Sequence, residues 1–278
     1  MPQLAANLSM LFADRPFLDR FEAAARAGFR AVEFQFPYDW SADDMAARLE
    51  GLCLKAVLHN LPAGDWASGE RGIACHPDRR QAFQDGVRLA LDYARRLRVP
   101  RLNCLAGIPP PGVTHEEAYA TLVENVRWAA CELQCHGLTL LLEPINTRDV
   151  PGFFLSRTDQ AIRLMDEVAV PNLQLQYDLY HAQRMEGELA GTLQRLLPRI
   201  GHIQLADNPG RHEPGTGEIR YAFLLDWLDR LGYDGWVGCE YRPADEGPMG
   251  TENGLSWMLA HGVAPRPASH PTPQEVQP

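Results

Sequence analysis

Eight short apolar runs alternate with longer helical stretches along the whole 278-residue chain. No other feature constrains the fold as tightly. Strands separated by helical sequence pair in parallel, because a crossover helix has to carry the chain back to the starting end of the sheet. The runs are Leu4–Leu8, Ala31–Phe34, Leu54–Leu58, Arg101–Leu105, Leu138–Leu142, Leu173–Tyr177, His202–Leu205 and Trp236–Cys239. Leu138–Leu142 is continuously apolar, as expected of a strand covered on both faces. The intervening helices carry their own punctuation. Pro16 suits a first turn and Gly28 supplies a stop, predicting a helix from about Pro16 to Ala27. Ser41 with Asp44 forms a capping box for a helix reaching about Gly51, and Thr114 with Glu117 three residues on opens another. A long loop, Asn60–His76, leads into a helix ending near Leu97. Thr158–Val168, Leu189–Leu197, Tyr221–Leu231 and about Glu252–His261 complete the series.

A local echo supports the count. Ala27–Glu33 and Leu231–Val237 each place a helix end, a glycine and an aromatic ahead of a strand. Eight such units in under 280 residues, with no Rossmann-type glycine fingerprint after the first strand, predict a single-domain (β/α)8 TIM barrel over residues 1–262. A doubly wound open sheet is the alternative. Residues 263–278 contain five prolines and no periodicity, which predicts a flexible tail.

Composition excludes several partners. The 26 Lys and Arg against 36 Asp and Glu give a net charge of −10, so no nucleic acid and no anionic membrane surface is expected as a partner. No apolar run reaches the ~18 residues of a membrane span, and the N-terminus lacks the basic and apolar regions of a signal peptide. A cytoplasmic location is expected. Cys53, Cys75, Cys104, Cys131, Cys135 and Cys239 form no CxxC pair and are expected to be small buried hydrophobes.

The chemistry is concentrated at strand ends. In a barrel these ends converge on one mouth. Glu143 follows the fifth strand, Asp178 the sixth and Glu240 the eighth, and Gln204 lies in the seventh. A lone acid at such a place is ordinarily a rim or capping residue. Four oxygen donors on consecutive strands, three of them anionic, would repel one another unless a cation sat among them. An all-oxygen donor set favours Mg2+ or Mn2+ over Zn2+. His181, in the loop three residues beyond Asp178, is placed to hold a substrate oxygen, or else to cap the following helix. Arg211 lies in the turn-rich loop Asp207–Gly217, where a forked guanidinium suits a carboxylate or hydroxyl. His59 ends the third strand. Arg71, between Gly69 and Gly72, either reaches into the mouth or pairs with Glu70 at the surface. Glu33 is open between a cation-binding and a structural role.

Val32–Tyr38, Asn60–Trp66, Gly69–Ala74, Glu143–Asn146 and His202–Asp207 running into Pro209–Arg211 together resemble the xylose-isomerase-like barrel superfamily, and within it the hydroxypyruvate isomerase branch. The resemblance spans about Leu4 to His261, and Gly69–Ala74 is its most specific segment. It implies a metal shell of Glu143, Asp178, Gln204 and Glu240, with Glu143 and Glu240 also exchanging protons with substrate. It implies a metal-dependent isomerase acting on a small oxo-acid in glyoxylate metabolism, interconverting hydroxypyruvate and tartronate semialdehyde. A homodimer is the expectation by analogy. Ketose 3-epimerases of the superfamily usually carry histidine where this chain has Gln204, which argues against that reading.

Aldose–ketose chemistry independently suits such a site. Moving a proton between adjacent carbons through an ene-diolate needs an electrophile for two oxygens and a base for the proton. A substrate carboxylate also needs a cation, for which Arg71 and Arg211 are candidates, with His181 supporting the oxyanion. The rivals are an isomerase of a four-carbon oxo-acid of the 2-oxo-tetronate type, a ketose epimerase, an abasic-site endonuclease on the same barrel, and a non-catalytic barrel that binds a small acid. The net charge and the all-oxygen donors disfavour the endonuclease.

Overall fold

The computed structural model describes residues 2–260, so the expected tail over 263–278 and the end of the last helix at His261 lie outside the described residues. Eight strands form a closed parallel barrel in sequence order. They are β1 (Gln3–Asn7), β2 (Ala31–Phe34), β3 (Lys55–Asn60), β4 (Arg101–Cys104), β5 (Thr139–Leu142), β6 (Leu173–Asp178), β7 (Ile200–Leu205) and β8 (Trp236–Cys239). Pairing of Leu4 with Val237 and of Ala6 with Cys239 closes the ring.

The helices between them are α1 (Phe17–Arg26), α2 (Ala42–Gly51), α3 (Arg80–Leu97), α4 (His115–Cys135), α5 (Thr158–Val168), α6 (Leu179–Met185), α7 (Leu189–Leu196) and α8 (Tyr221–Leu231). Two short helices follow, α9 (Gly250–Gly254) and α10 (Ser256–Ala260), where one continuous helix from Glu252 was expected. The Thr114–Glu117 capping box forms as expected, and of the Ser41–Asp44 box the Ser41 half is present. Thr114 Oγ1 accepts from the Glu117 N–H while the Glu117 carboxylate accepts from the Thr114 N–H, and the Ser41 side chain accepts from the Asp44 N–H. Gly28 follows α1 and Gly232 caps α8, both in the left-handed region that a β-carbon disfavours.

Strand residues alternate between two environments. Outward residues such as Val32, Phe34, Leu140 and Leu142 pack with the helices in one large core. Inside, Ala5, Ala31 and Val57 with the partly buried Trp236 form a small apolar plug at the strand starts. Above the plug the interior turns polar. Glu33 accepts from His202 Nε2 at 2.6 Å, Gln204 Nε2 at 2.7 Å and Asn7 Nδ2 at 2.9 Å, all of them buried. Gly238 makes room for this carboxylate, since a β-carbon there would lie 2.3 Å from it.

The cysteines divide against expectation. Cys75, Cys104 and Cys239 are buried, but Cys53, Cys131 and Cys135 are exposed. Cys131 and Cys135 lie one turn apart on α4, whose buried side is formed instead by residues such as Leu122, Val126, Ala129 and Leu133.

Candidate active site

The mouth of the barrel opens into a cavity of about 860 Å3. Glu143, Glu240 and His181 line it, and together with Asp178 beside them each offers a ligand atom within 4.8 Å of the others, all four residues being buried. Each is placed by its strand end. Glu143 and Glu240 follow the last residues of β5 and β8, and Asp178 ends β6. Asp178 also caps α6: its Oδ1 accepts from the Tyr180 N–H at 2.7 Å, with the His181 N–H at 3.4 Å. His181 was expected in a loop; it sits instead in the first turn of α6, and this cap turns it back toward the acids.

The three carboxyls are held unequally. Glu240 accepts from Arg211 Nη2 at 2.6 Å, Gln35 Nε2 at 3.0 Å and Asn7 Nδ2 at 3.2 Å. Glu143 accepts from Asn103 Nδ2 at 2.7 Å. Asp178 Oδ2 is buried without a hydrogen-bond partner, with Arg211 Nη2 at 3.9 Å. Burial and then the charges of Glu240 and Asp178 hold the Glu143 carboxyl well above its usual value. Burial pushes Asp178 up to about 7 against the pull of Arg211. Glu240 is also raised by burial, opposed by the guanidinium beside it. His181 is shifted well below the usual histidine value by burial and by the charges of Arg211 and Arg184, so its imidazole is neutral.

These residues fit a divalent cation. With all three acids ionised the cluster, including its one arginine, would carry a net charge of two negatives, and the orphaned Asp178 oxygen has no other partner to offset its desolvation. Gln204 pairs in register with Asp178 and is 1% exposed. Its Nε2 donates to Glu33 and its Oε1 accepts from Gln176 at 2.6 Å, leaving one lone pair on that oxygen.

Arg211 reaches the cluster because its loop is tied down by Asp207. The buried Asp207 carboxylate accepts from the N–H groups of Asn208, Gly215, Gly217 and Ile219, and its backbone bonds Arg211 and His212. The Arg211 guanidinium also lies over the Tyr180 ring at 5.2 Å. Arg71 lines the cavity, stacked over Trp66 at 4.1 Å. The Glu70 carboxylate is not its partner, since it pairs with Arg79 at 2.6 Å and accepts from the Asp65 N–H. Arg71 Nη1 donates instead to the backbone carbonyls of Glu70 at 2.8 Å and Trp66 at 3.0 Å. Among the described residues Arg71 has no carboxylate partner. Gly72 lets this segment pack on the β4 loop, where a β-carbon would lie 2.4 Å from Leu105 O.

His59 is the expectation the structure corrects. β3 runs through to Asn60, so His59 falls within the strand and faces outward, stacked on Phe34 at 6.2 Å. Burial lowers its imidazole to about 4. Asn60, one residue on, lines the cavity in its place. Glu33 lies among the polar side chains beneath the acids and is a structural partner of His202. Asn7, Gln35, Asn103 and Asp207 were not picked out in sequence. Asn7 and Asn103 carried a signal, as amides beside apolar neighbours near the C-terminal ends of β1 and β4.

Residues 21–261 match the family model described as xylose isomerase-like TIM barrel, and the chain belongs to that family. It is 53% identical to the hydroxypyruvate isomerase of Escherichia coli over 258 residues, which cover 93% of this chain and 98% of that one. It is 47% identical to the 2-oxo-tetronate isomerase of Cupriavidus necator over the same shares. A crystal structure from Brucella melitensis, described as an AP endonuclease of family 2, superposes with a TM-score of 0.89 at 46% identity, covering 94% of this chain and 99% of that one. No helix among the described residues is long and apolar enough to cross a membrane.

Proposed function

We propose that this chain is an isomerase of small oxo-acids that interconverts hydroxypyruvate and tartronate semialdehyde with Mg2+ or Mn2+. The observation that carries the reading is the buried group of Glu143, Asp178 and Glu240 with one carboxylate oxygen left unpaired. Glu143, Asp178 and Glu240 would hold the cation, with Gln204 as the fourth oxygen donor. The cation supplies electrophilic stabilisation for the two oxygens of an ene-diolate.

The remaining work falls to the chain. Substrate C3 loses a proton and C2 gains one, while the C3 hydroxyl proton leaves and the C2 oxygen is protonated. Glu240, held by the donors Arg211, Gln35 and Asn7, takes the proton from C3, and Glu143 delivers one to C2. His181 donates to the developing oxyanion. Arg71 offsets the substrate carboxylate, since Arg211 is already committed to Glu240 and Asp178.

A four-carbon oxo-acid is the second reading, favoured by a cavity of about 860 Å3 that exceeds the needs of a three-carbon acid, and by the 2-oxo-tetronate isomerase among the relatives. The endonuclease description of the Brucella relative fits the site poorly, because a chain of net charge −10 repels a polyanion. The test is proton NMR of metal-stripped protein with hydroxypyruvate in D2O, before and after Mg2+. Metal-dependent tartronate semialdehyde carrying deuterium supports the reading. Turnover of the four-carbon acid alone would replace it with the second.

A further inference from the structure

Asn146 is fully buried in the loop after β5, with every hydrogen-bonding position of its amide engaged. Its Oδ1 accepts from the N–H groups of Arg148 at 3.1 Å and Asp149 at 2.9 Å, an Asx-type turn that leaves only one orientation for the amide. Nδ2 therefore points the other way. One of its hydrogens goes to Asp149 Oδ2 at 3.0 Å and the other to His181 Nδ1 at 2.6 Å. The Asn146 backbone N–H also faces Nδ1, at 3.4 Å. Asp149 is pinned in turn by the Tyr180 hydroxyl at 2.7 Å.

Two N–H donors converging on Nδ1 require that nitrogen to be the acceptor. In a neutral imidazole the hydrogen must then sit on Nε2. Nε2 is the atom that faces the acids, 3.7 Å from Asp178 Oδ2 and 4.0 Å from Glu143 Oε1. We infer that Asn146 is a positioning residue that fixes His181 as its Nε2–H tautomer, so that the imidazole donates to a substrate oxygen and stays out of the metal shell although it lies within reach of it. A histidine that ligated through Nε2 would need the opposite tautomer, with a hydrogen on Nδ1 and an acceptor where Asn146 presents donors. The donor role rests on the proposed isomerisation; the tautomer itself does not.

The experiment is long-range proton–nitrogen correlation NMR on the full chain labelled with 15N-histidine, with His181 assigned by the spectrum lost in His181→Gln. In metal-free wild type, Nδ1 is expected unprotonated and Nε2 protonated, and saturating Mg2+ leaves that pattern unchanged. Asn146→Asp keeps the Oδ1 acceptor of the turn but replaces Nδ2 with an oxygen. It is expected to move a proton onto His181 Nδ1 and to lower kcat on hydroxypyruvate by about 10–100-fold, with KM changed by less than about threefold. An Nδ1–H tautomer in wild type, loss of the Nε2 proton on adding Mg2+, or an unprotonated Nδ1 in Asn146→Asp overturns the inference. Wild-type kcat in a variant whose tautomer has switched overturns the positioning role. If Asn146→Asp does not fold, the wild-type spectra with and without Mg2+ decide. Should hydroxypyruvate not be a substrate, the functional reading fails while the spectra still test the tautomer.

Discussion

Replacing Asp178 with asparagine should make the metal-free protein more stable, by an amount that grows with pH. The Asp178 carboxyl stands at about 7 in the fold against 3.8 when unperturbed, because burial penalises its ionised form. A raised carboxyl contributes stability below its unfolded value, and that contribution is lost as pH rises through the folded value. Each pH unit in that window removes about 1.4 kcal/mol, so the full loss by pH 8 is about 4 kcal/mol. Asparagine carries no charge to bury, and its Oδ1 can keep accepting from the Tyr180 N–H that caps α6. At about 2.1 cal/mol/K of unfolding entropy per residue, a 278-residue chain changes by about 0.6 kcal/mol per degree near its midpoint. Asp178→Asn should therefore raise the melting temperature by about 7 °C at pH 8 in EDTA. At pH 5, about 2 kcal/mol and about 3 °C remain. The assay is thermal unfolding by circular dichroism at a fixed scan rate. A destabilised variant at pH 8, or the same shift at both pH values, would refute the argument that Asp178 is an uncompensated buried charge.

Three further outcomes follow from the same geometry. Mg2+ at 100 times its dissociation constant should stabilise wild type by about 2.7 kcal/mol, read as a rise of about 5 °C at pH 8, and much less at pH 5.5 where protons compete for the carboxylates. Glu240→Gln should lower kcat by about 10²–10⁴-fold with an unchanged far-ultraviolet spectrum; wild-type rates would remove Glu240 from the proton transfer. His202→Leu breaks a fully buried pair with Glu33 and should cost about 3–5 kcal/mol, measured as a lower urea midpoint, although neither residue lines the mouth.

Much of the fold was legible because it is local. The apolar runs, the glycine stops after α1 and α8 and the Thr114–Glu117 capping box are set by side chains a few residues apart, and the eight-fold count then leaves few closed topologies. The three acids were legible for a related reason: each directly ends an apolar strand, and in a parallel barrel all such ends share one mouth. Register and direction were not legible. In sequence His59 stands at the apparent end of β3, yet the strand continues to Asn60 and His59 turns outward onto Phe34. Arg71 stood equally well beside Glu70 until the Glu70 carboxylate proved to be held by Arg79.

The sequence by itself determined the repeating unit, the polarity of the strands and the kind of donor each strand end carries, because these depend on chain-local propensity and periodicity. Only the tertiary structure decided how those donors are divided. Glu33 and His202 meet beneath the mouth across 169 residues of chain, Arg211 reaches Glu240 on a loop organised by Asp207, and Asn146 meets His181 from a different strand end. Each of these pairings depends on distances that closing the barrel fixes and that no spacing along the chain encodes.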